Sequence, residues 1–336
     1  YFFAFLLPCV LLVVATYLFW RARRRYVHTP MAGSPFVRVW NVVQTARRVR
    51  AGTLHSVDAG TVLEEDPNQQ RHWYECATGH EGCDHDAVSE AVAVARIGEV
   101  FLCLPTFWML FDQQGSAWTL QAKKMDMHGF MEAEQIGILN PLIVLFMIPL
   151  FNRWVYPLAE QKMGGRLTSL GKMRCGMFVA AVSFLVTALV QSIVESSPPS
   201  SVTVFMQIPQ YLVMTVAEIL VSVAGLEFAY ENAPTTMKST IMSMFLLATA
   251  VGDVMGGLIY TILGNLPPVW LYVIFSVLMV LNACVFIRLS GRFVPYTPPK
   301  ITADATEVKG HNGKAEDAFF TPLLDDGFAT DTGVKE

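Results

Sequence analysis

Val204–Tyr230, VFMQIPQYLVMTVAEILVSVAGLEFAY, is long and apolar enough to cross a bilayer, because about 20 mostly apolar residues span the hydrocarbon core. Glu218 lies near its middle. A carboxylate at that depth costs about 3 kcal/mol or more and is retained where it faces a bundle interior or a water-filled cavity. At helical spacing Gln207, Tyr211, Thr215, Glu218, Ser222 and Gly225 share one polar or small-residue face. Leu212, Val216, Leu220 and Val223 are left for lipid or neighbouring helices. A buried acid on a polar stripe inside a membrane is therefore the feature to explain.

The rest of the chain fits an all-α polytopic membrane protein. Of 336 residues 53% are hydrophobic and 15% charged, too few charges to solvate a soluble domain of this size. Six cysteines, several inside apolar runs, form no secreted disulfide framework. The chain starts at Tyr1 within an apolar run, without a basic n-region, so this run is not a signal peptide. A fragment whose beginning is missing is expected. Residues 1–20 form the first span, closed by Trp20 and the cluster Arg21-Ala-Arg-Arg-Arg25, which places the next loop in the cytoplasm. Six further spans are expected at about Val92–Phe111, Ile136–Val155, Lys172–Val194, Val204–Tyr230, Lys238–Leu263 and Pro267–Leu289. That makes about seven. Their orientations alternate, with Lys162, Arg166, Lys172, Arg174, Lys238, Arg288 and Arg292 inside, and Lys123-Lys124 the one outer exception.

Residues 21–91 read as a cytoplasmic linker. Within it Pro35–Arg50, PFVRVWNVVQTARRVR, reads as a cationic amphipathic helix on the membrane surface, and the polar stretch from Ala51 to about Asp86 as poorly ordered. Cys76, His80, Cys83 and His85, with His72 nearby, are metal-ligand types, but their spacing matches no structural zinc pattern, and no metal is expected. The six-helix part covers residues 92–289, and residues 290–336 read as a disordered cytoplasmic tail.

All seven histidines fall outside the spans, so a proton path would run through carboxylates. Glu218 is the first candidate, since burial raises a carboxyl pKa toward neutrality. Asp253 is a second buried acid, beside the stripe Phe245, Thr249, Gly252 and Gly256. Phe107 and Trp108 offer an aromatic wall running out to Asp112-Gln113-Gln114. Arg96 and Glu99, three apart near the cytoplasmic entrance, could pair or gate. Asn140-Pro141 and Pro149 are expected to break their helix and expose polar groups to a cavity.

The runs Phe107-Trp108 through Asp112-Gln113-Gln114-Gly115-Ser116 to Gln121, then Asn140-Pro141, then Gln207 to Ser239 through Glu218 and Gly225-Leu-Glu227-Phe, resemble the proton-dependent oligopeptide transporter family of the major facilitator superfamily. The resemblance implies twelve helices in two halves, of which this chain carries the sixth helix and the second half. It implies that Glu218 and Asn140 hold a peptide's amino end and that Trp108, Gln114 and Phe245 line side-chain pockets, with Phe107 and Ser222 as further substrate-binding residues. Glu218, Asp253, Asp112, Arg96 and Glu99 are then the proton-coupling and gating group, and Arg96 belongs to the gate. Three positions depart from the family's pattern: Phe245 for a frequent Trp, Asn152 for an Asp that pairs with Arg96 in some animal members, and Asp253 for a common Asn. The short Glu195–Thr203 link leaves no room for the large extracellular domain of animal members.

Proton-coupled symport of di- and tripeptides is the expected function, with protons as the coupling ion and no cofactor. The expected partners are small peptides, the lipid bilayer and the missing first half, with no nucleic acid. The expected place is a multi-pass position in the plasma membrane or an endomembrane. No Lys or Arg lies at central depth for a peptide carboxylate, so the chain is not expected to transport alone. A nitrate or small-anion carrier of the same family and a seven-helix receptor are the alternatives. An enzyme is not expected, since no His cluster, nucleophile elbow or metal-ligand pair faces the membrane.

Overall fold

The computed structural model describes residues 2–25, 35–52, 73–80, 83–129 and 132–295. The stretch 53–72 and almost all of the expected tail, residues 296–336, lie outside the described residues.

Helix α1 (Phe2–Ala22) is apolar all round, and Phe5, Leu7, Leu12 and Phe19 are each more than half exposed. Such a surface suits lipid. Helix α2 (Pro35–Arg50) starts and ends where the amphipathic pattern puts it. Helix α3 begins at His85, not at Val92, and runs to Phe101. Its first turns are ordered by packing: Ala87, Val88, Ala91 and Val92 bury against Val42 and Ala46 of α2 and against Ala77 and Cys83. The expected disorder up to Asp86 is therefore corrected for residues 73–80 and 83–86.

Among the described residues six helical runs are long and apolar enough to span: Phe5–Ala22, Ala133–Lys162, Ser169–Ser196, Val204–Asn232, Thr235–Leu263 and Pro268–Ser290. The expected span Val92–Phe111 is two helices, α3 and α4 (Leu104–Phe111), joined at Leu102-Cys103. Pro105 has no N–H to bond back to Phe101 and its ring crowds that carbonyl, so the helix breaks there. After a 3-10 turn at Asp112–Gly115 the chain makes the short helix α5 (Ala117–Ala122).

Helix α6 (Leu139–Leu150) follows a 3-10 segment, Ala133–Ile138. Asn140 and Pro141 thus sit in its first turn, where a missing N–H is tolerated, and do not interrupt a helix as expected. Pro149 acts differently, and the helix passes into a π segment at Phe151–Val155 before α7 (Tyr156–Met163). Gly164 takes a left-handed φ of 68° to end α7. Thr168 then caps α8 (Ser169–Ser196), its Oγ1 accepting from Gly171 N at 3.1 Å.

The deciding stretch folds as a 3-10 turn Val204–Gln207, helix α9 (Ile208–Glu218), a π segment Ile219–Val223 and helix α10 (Ala224–Asn232). Helices α11 (Lys238–Leu263) and α12 (Pro268–Ser290) follow. Helix α8 packs against α9 and α12, α11 against α4, and α6 against α9. Two glycines allow the closest approaches. A Cβ on Gly176 of α8 would lie 2.6 Å from Val221, and one on Gly252 of α11 would lie 2.6 Å from the Pro105 carbonyl. The core between these helices is aromatic, with Phe107, Trp118, Phe184, Tyr211, Phe275 and Phe286 fully buried.

Candidate substrate site

Glu218 ends α9 one residue before the π segment. Asn140 Nδ2 donates to Glu218 Oε2 at 2.9 Å, and Thr215 Oγ1 donates to Asn140 Oδ1 at 2.6 Å. Thr215 thereby fixes which way the Asn140 amide faces, and Asn140 orients the carboxylate. Glu218 remains partly exposed; it meets the cavity described next through Asn140 and does not itself line it.

Asn140 and Pro141 line an open cavity of about 330 Å³, together with Asp112, Gln114, Thr119 and Glu134. Two carboxylates and no lysine or arginine line it. Buried polar groups normally find partners, yet Trp108 Nε1, Asp112 Oδ2 and Gln114 Nε2 are buried with none among the described residues. All three sit on one short run where α4 turns into the loop. The carboxyl of Asp253 lies beside that of Asp112, and neighbouring carboxyls can share a proton. The close passage of Gly252 over α4 and of Gly256 over Met109 and Gln113 holds the two acids together.

The sequence stripe does not survive as one face. Gln207 Nε2 donates to Gln121 Oε1 at 2.8 Å and to the Trp118 carbonyl at 3.0 Å, while Tyr211 is buried edge-on to Trp118. Only Thr215 and Glu218 turn to Asn140. The π segment adds a residue to the turn after Glu218, which rotates Ser222 and Gly225 away from the α-helical count. The Ser222 hydroxyl is buried with no partner among the described residues, and Gly225 packs on Phe245.

The aromatic residues divide. Phe107 is fully buried and Phe245 is 4% exposed, stacked edge-on with Trp108 at 6.0 Å between centroids. Neither lines the cavity, nor does Trp108, against which both rings pack edge-on. Arg96 is half-buried and Glu99 exposed on α3, also outside the cavity lining.

Sequence reading did not single out Thr119 and Glu134 as cavity residues. It also missed a buried amide network in which Gln121 joins Gln191 (3.0 Å), Gln207 and Gln210 (3.0 Å), tying α5 to α8 and α9. Three glutamines inside apolar runs were the available signal. Cys83 is buried in the α2–α3 contact, and the Cys76 thiol donates to the Trp73 carbonyl at 2.9 Å. Among the described residues no three His, Cys, Asp or Glu side chains gather closely enough to hold a metal; His72 lies outside them.

A family profile described as PTR2, POT family, matches residues 1–276. Solute carrier family 15 member 2 of Mus musculus is 34% identical over 235 residues, 67% of this chain and 30% of that protein. Peptide transporter PTR2 of Saccharomyces cerevisiae is 29% identical over 212 residues, 60% of this chain and 34% of that protein. The matched region thus spans about a third of these relatives' length. Among solved structures, an auto-inhibited POT family peptide transporter superposes with a TM-score of 0.64 at 25% identity, over 87% of this chain and 65% of that one. The POT family transporter PepTSo gives 0.62 at 26%, over 85% and 64%. The helical membrane fold expected from the sequence, that of the major facilitator superfamily, is borne out by these likenesses. The protein is a multi-pass integral membrane protein, and with a family profile running through most of its length the chain belongs to the POT family.

Proposed function

We propose that this chain supplies the acidic part of a proton-coupled symporter for di- and tripeptides. The observation that carries the reading is the cavity beside Asn140 and Glu218. It is lined by Asp112, Glu134 and unpartnered polar groups and by no Lys or Arg; Lys123 is taken up by Glu134 at 2.8 Å, which leaves Asp112 and the nearby Glu218 for an ammonium group and not an anion. The ionised Glu218 carboxylate, oriented by Asn140, binds the peptide's amino end. The proton rides with the bound peptide on the neighbouring carboxyls of Asp112 and Asp253; its transfer to Glu218 on the inward side removes the charge, frees the peptide and then leaves the proton inside, so the two enter together. Trp108 and Gln114 offer N–H donors to the peptide backbone.

The peptide carboxylate needs a cation that the cavity lining does not provide. A second helical bundle facing α4, α6 and α11 completes the site, in keeping with the share of the relatives' length that this chain matches and with the exposure of Asp253 in mid-span. Substrate sites between two helical halves are the rule in such carriers. One proton moving down 100 mV yields about 2.3 kcal/mol, enough for roughly fortyfold accumulation.

The test is uptake into proteoliposomes by the protein produced from its own gene. An inward proton gradient is expected to accumulate a labelled dipeptide and to leave nitrate unaccumulated. Gradient-driven nitrate accumulation, or peptide equilibration indifferent to the gradient, would overturn the reading.

A further inference from the structure

We propose that the groove between α2, α3 and α11 binds one anionic phospholipid of the cytoplasmic leaflet. The groove holds about 320 Å³ and is walled by Phe36, Trp40 and Val43 of α2, Val94 and Gly98 of α3, and Met244 of α11. Phe36 and Trp40 remain 60% and 57% exposed. That apolar surface does not come from a loosely held helix. Val42 and Ala46 are fully buried against α3, and Arg38 meets Glu90 at 3.2 Å, which in turn accepts from Thr236 Oγ1 at 2.6 Å. Helix α2 is docked, with one apolar face turned to the core and another left open.

The open face has a charge at one end. Residues three and four apart share a helix stripe, so Phe36, Trp40 and Val43 continue into Arg47 and Arg50. Both arginines are exposed. On the groove wall the Thr240 hydroxyl is buried with no partner among the described residues. An apolar trough, an isolated hydroxyl and two guanidinium groups at the end match one acyl chain, one ester and one phosphate. Free phosphate would use only the arginines, and a neutral lipid only the trough. The Arg21–Arg25 cluster between α1 and α2 puts this face on the cytoplasmic side, where anionic lipid is concentrated and basic pockets between helices recruit its headgroups. The inference does not rest on the identity of the transported substrate.

The protein from its own gene is reconstituted into phosphatidylcholine vesicles doped with acyl-brominated phosphatidylserine or acyl-brominated phosphatidylcholine at equal mole fraction. The Trp40 signal is the fluorescence difference between wild type and Trp40→Phe. Brominated phosphatidylserine is expected to quench it at several-fold lower mole fraction than brominated phosphatidylcholine. Arg47→Gln with Arg50→Gln is expected to erase that preference while circular dichroism shows unchanged helix content. Equal quenching by the two lipids, or a preference that survives the double substitution, overturns the proposal. So does quenching by neither lipid, which would mean that a protein segment or a second copy fills the groove.

Discussion

Glu218, Asn140 and Thr215 form a chain of two hydrogen bonds that joins residues 75 and 78 positions apart. Replacing Asn140 by Leu removes the donor from a half-buried carboxylate, a loss of about 1–3 kcal/mol. The Michaelis constant for dipeptide is expected to rise by about tenfold for each 1.4 kcal/mol, read from the concentration dependence of uptake. Thr215→Val keeps the Asn140–Glu218 contact and is expected to have a smaller effect. A larger effect for Thr215→Val would place the ligand on the hydroxyl instead. Asp253→Asn replaces the carboxyl beside Asp112 with an amide that cannot titrate. The pH profile of uptake is then expected to shift, and an unchanged profile would make Asp253 a packing residue. Glu218 was legible in the sequence because a lone acid inside an apolar run is costly. Its partners were less so, since Asn140 stood out by its proline neighbour and Thr215 by a stripe that holds for one turn.

Helices reveal themselves in sequence by apolar length, and the spans from Lys172 onward differ from expectation by a few residues at their ends. What the pattern does not carry is where a helix changes pitch. The π segments at Phe151–Val155 and Ile219–Val223 depend on packing between elements, as when Gly176 of α8 lets Val221 and Leu220 come close. A side chain at Gly176 would have to displace that turn. Gly176→Leu is expected to destabilise the protein by about 1–3 kcal/mol, seen as a lowered melting temperature in detergent. An unchanged melting temperature would show that α8 and the π turn can separate freely. The break between α3 and α4 had its signal in Pro105, and the early start of α3 had its signal in Ala87, Val88 and Ala91. Both were obscured by reading Val92–Phe111 as one uniform span.

The alternation of basic clusters predicts that the basic end of α1 and the α7–α8 loop face the cytoplasm and the α5–α6 connection the outside. With native thiols blocked, Lys124→Cys is expected to react with an impermeant maleimide on intact cells. Gly165→Cys is expected to react only after permeabilisation, and the reverse pattern would invert the topology. Family, fold and the acid at the centre could all be read from the chain, because each rests on residues close in sequence. The cavity could not, because its lining comes from the separate stretches 111–119 and 134–141 folded against each other. The central claim is that proton and peptide meet at one carboxyl. Its most direct test is peptide-driven proton entry into proteoliposomes carrying a pH-sensitive dye, compared between wild type and Glu218→Gln. The account predicts acidification on adding dipeptide to wild type and none for the variant, with both proteins equally inserted. Wild-type acidification by Glu218→Gln would contradict it.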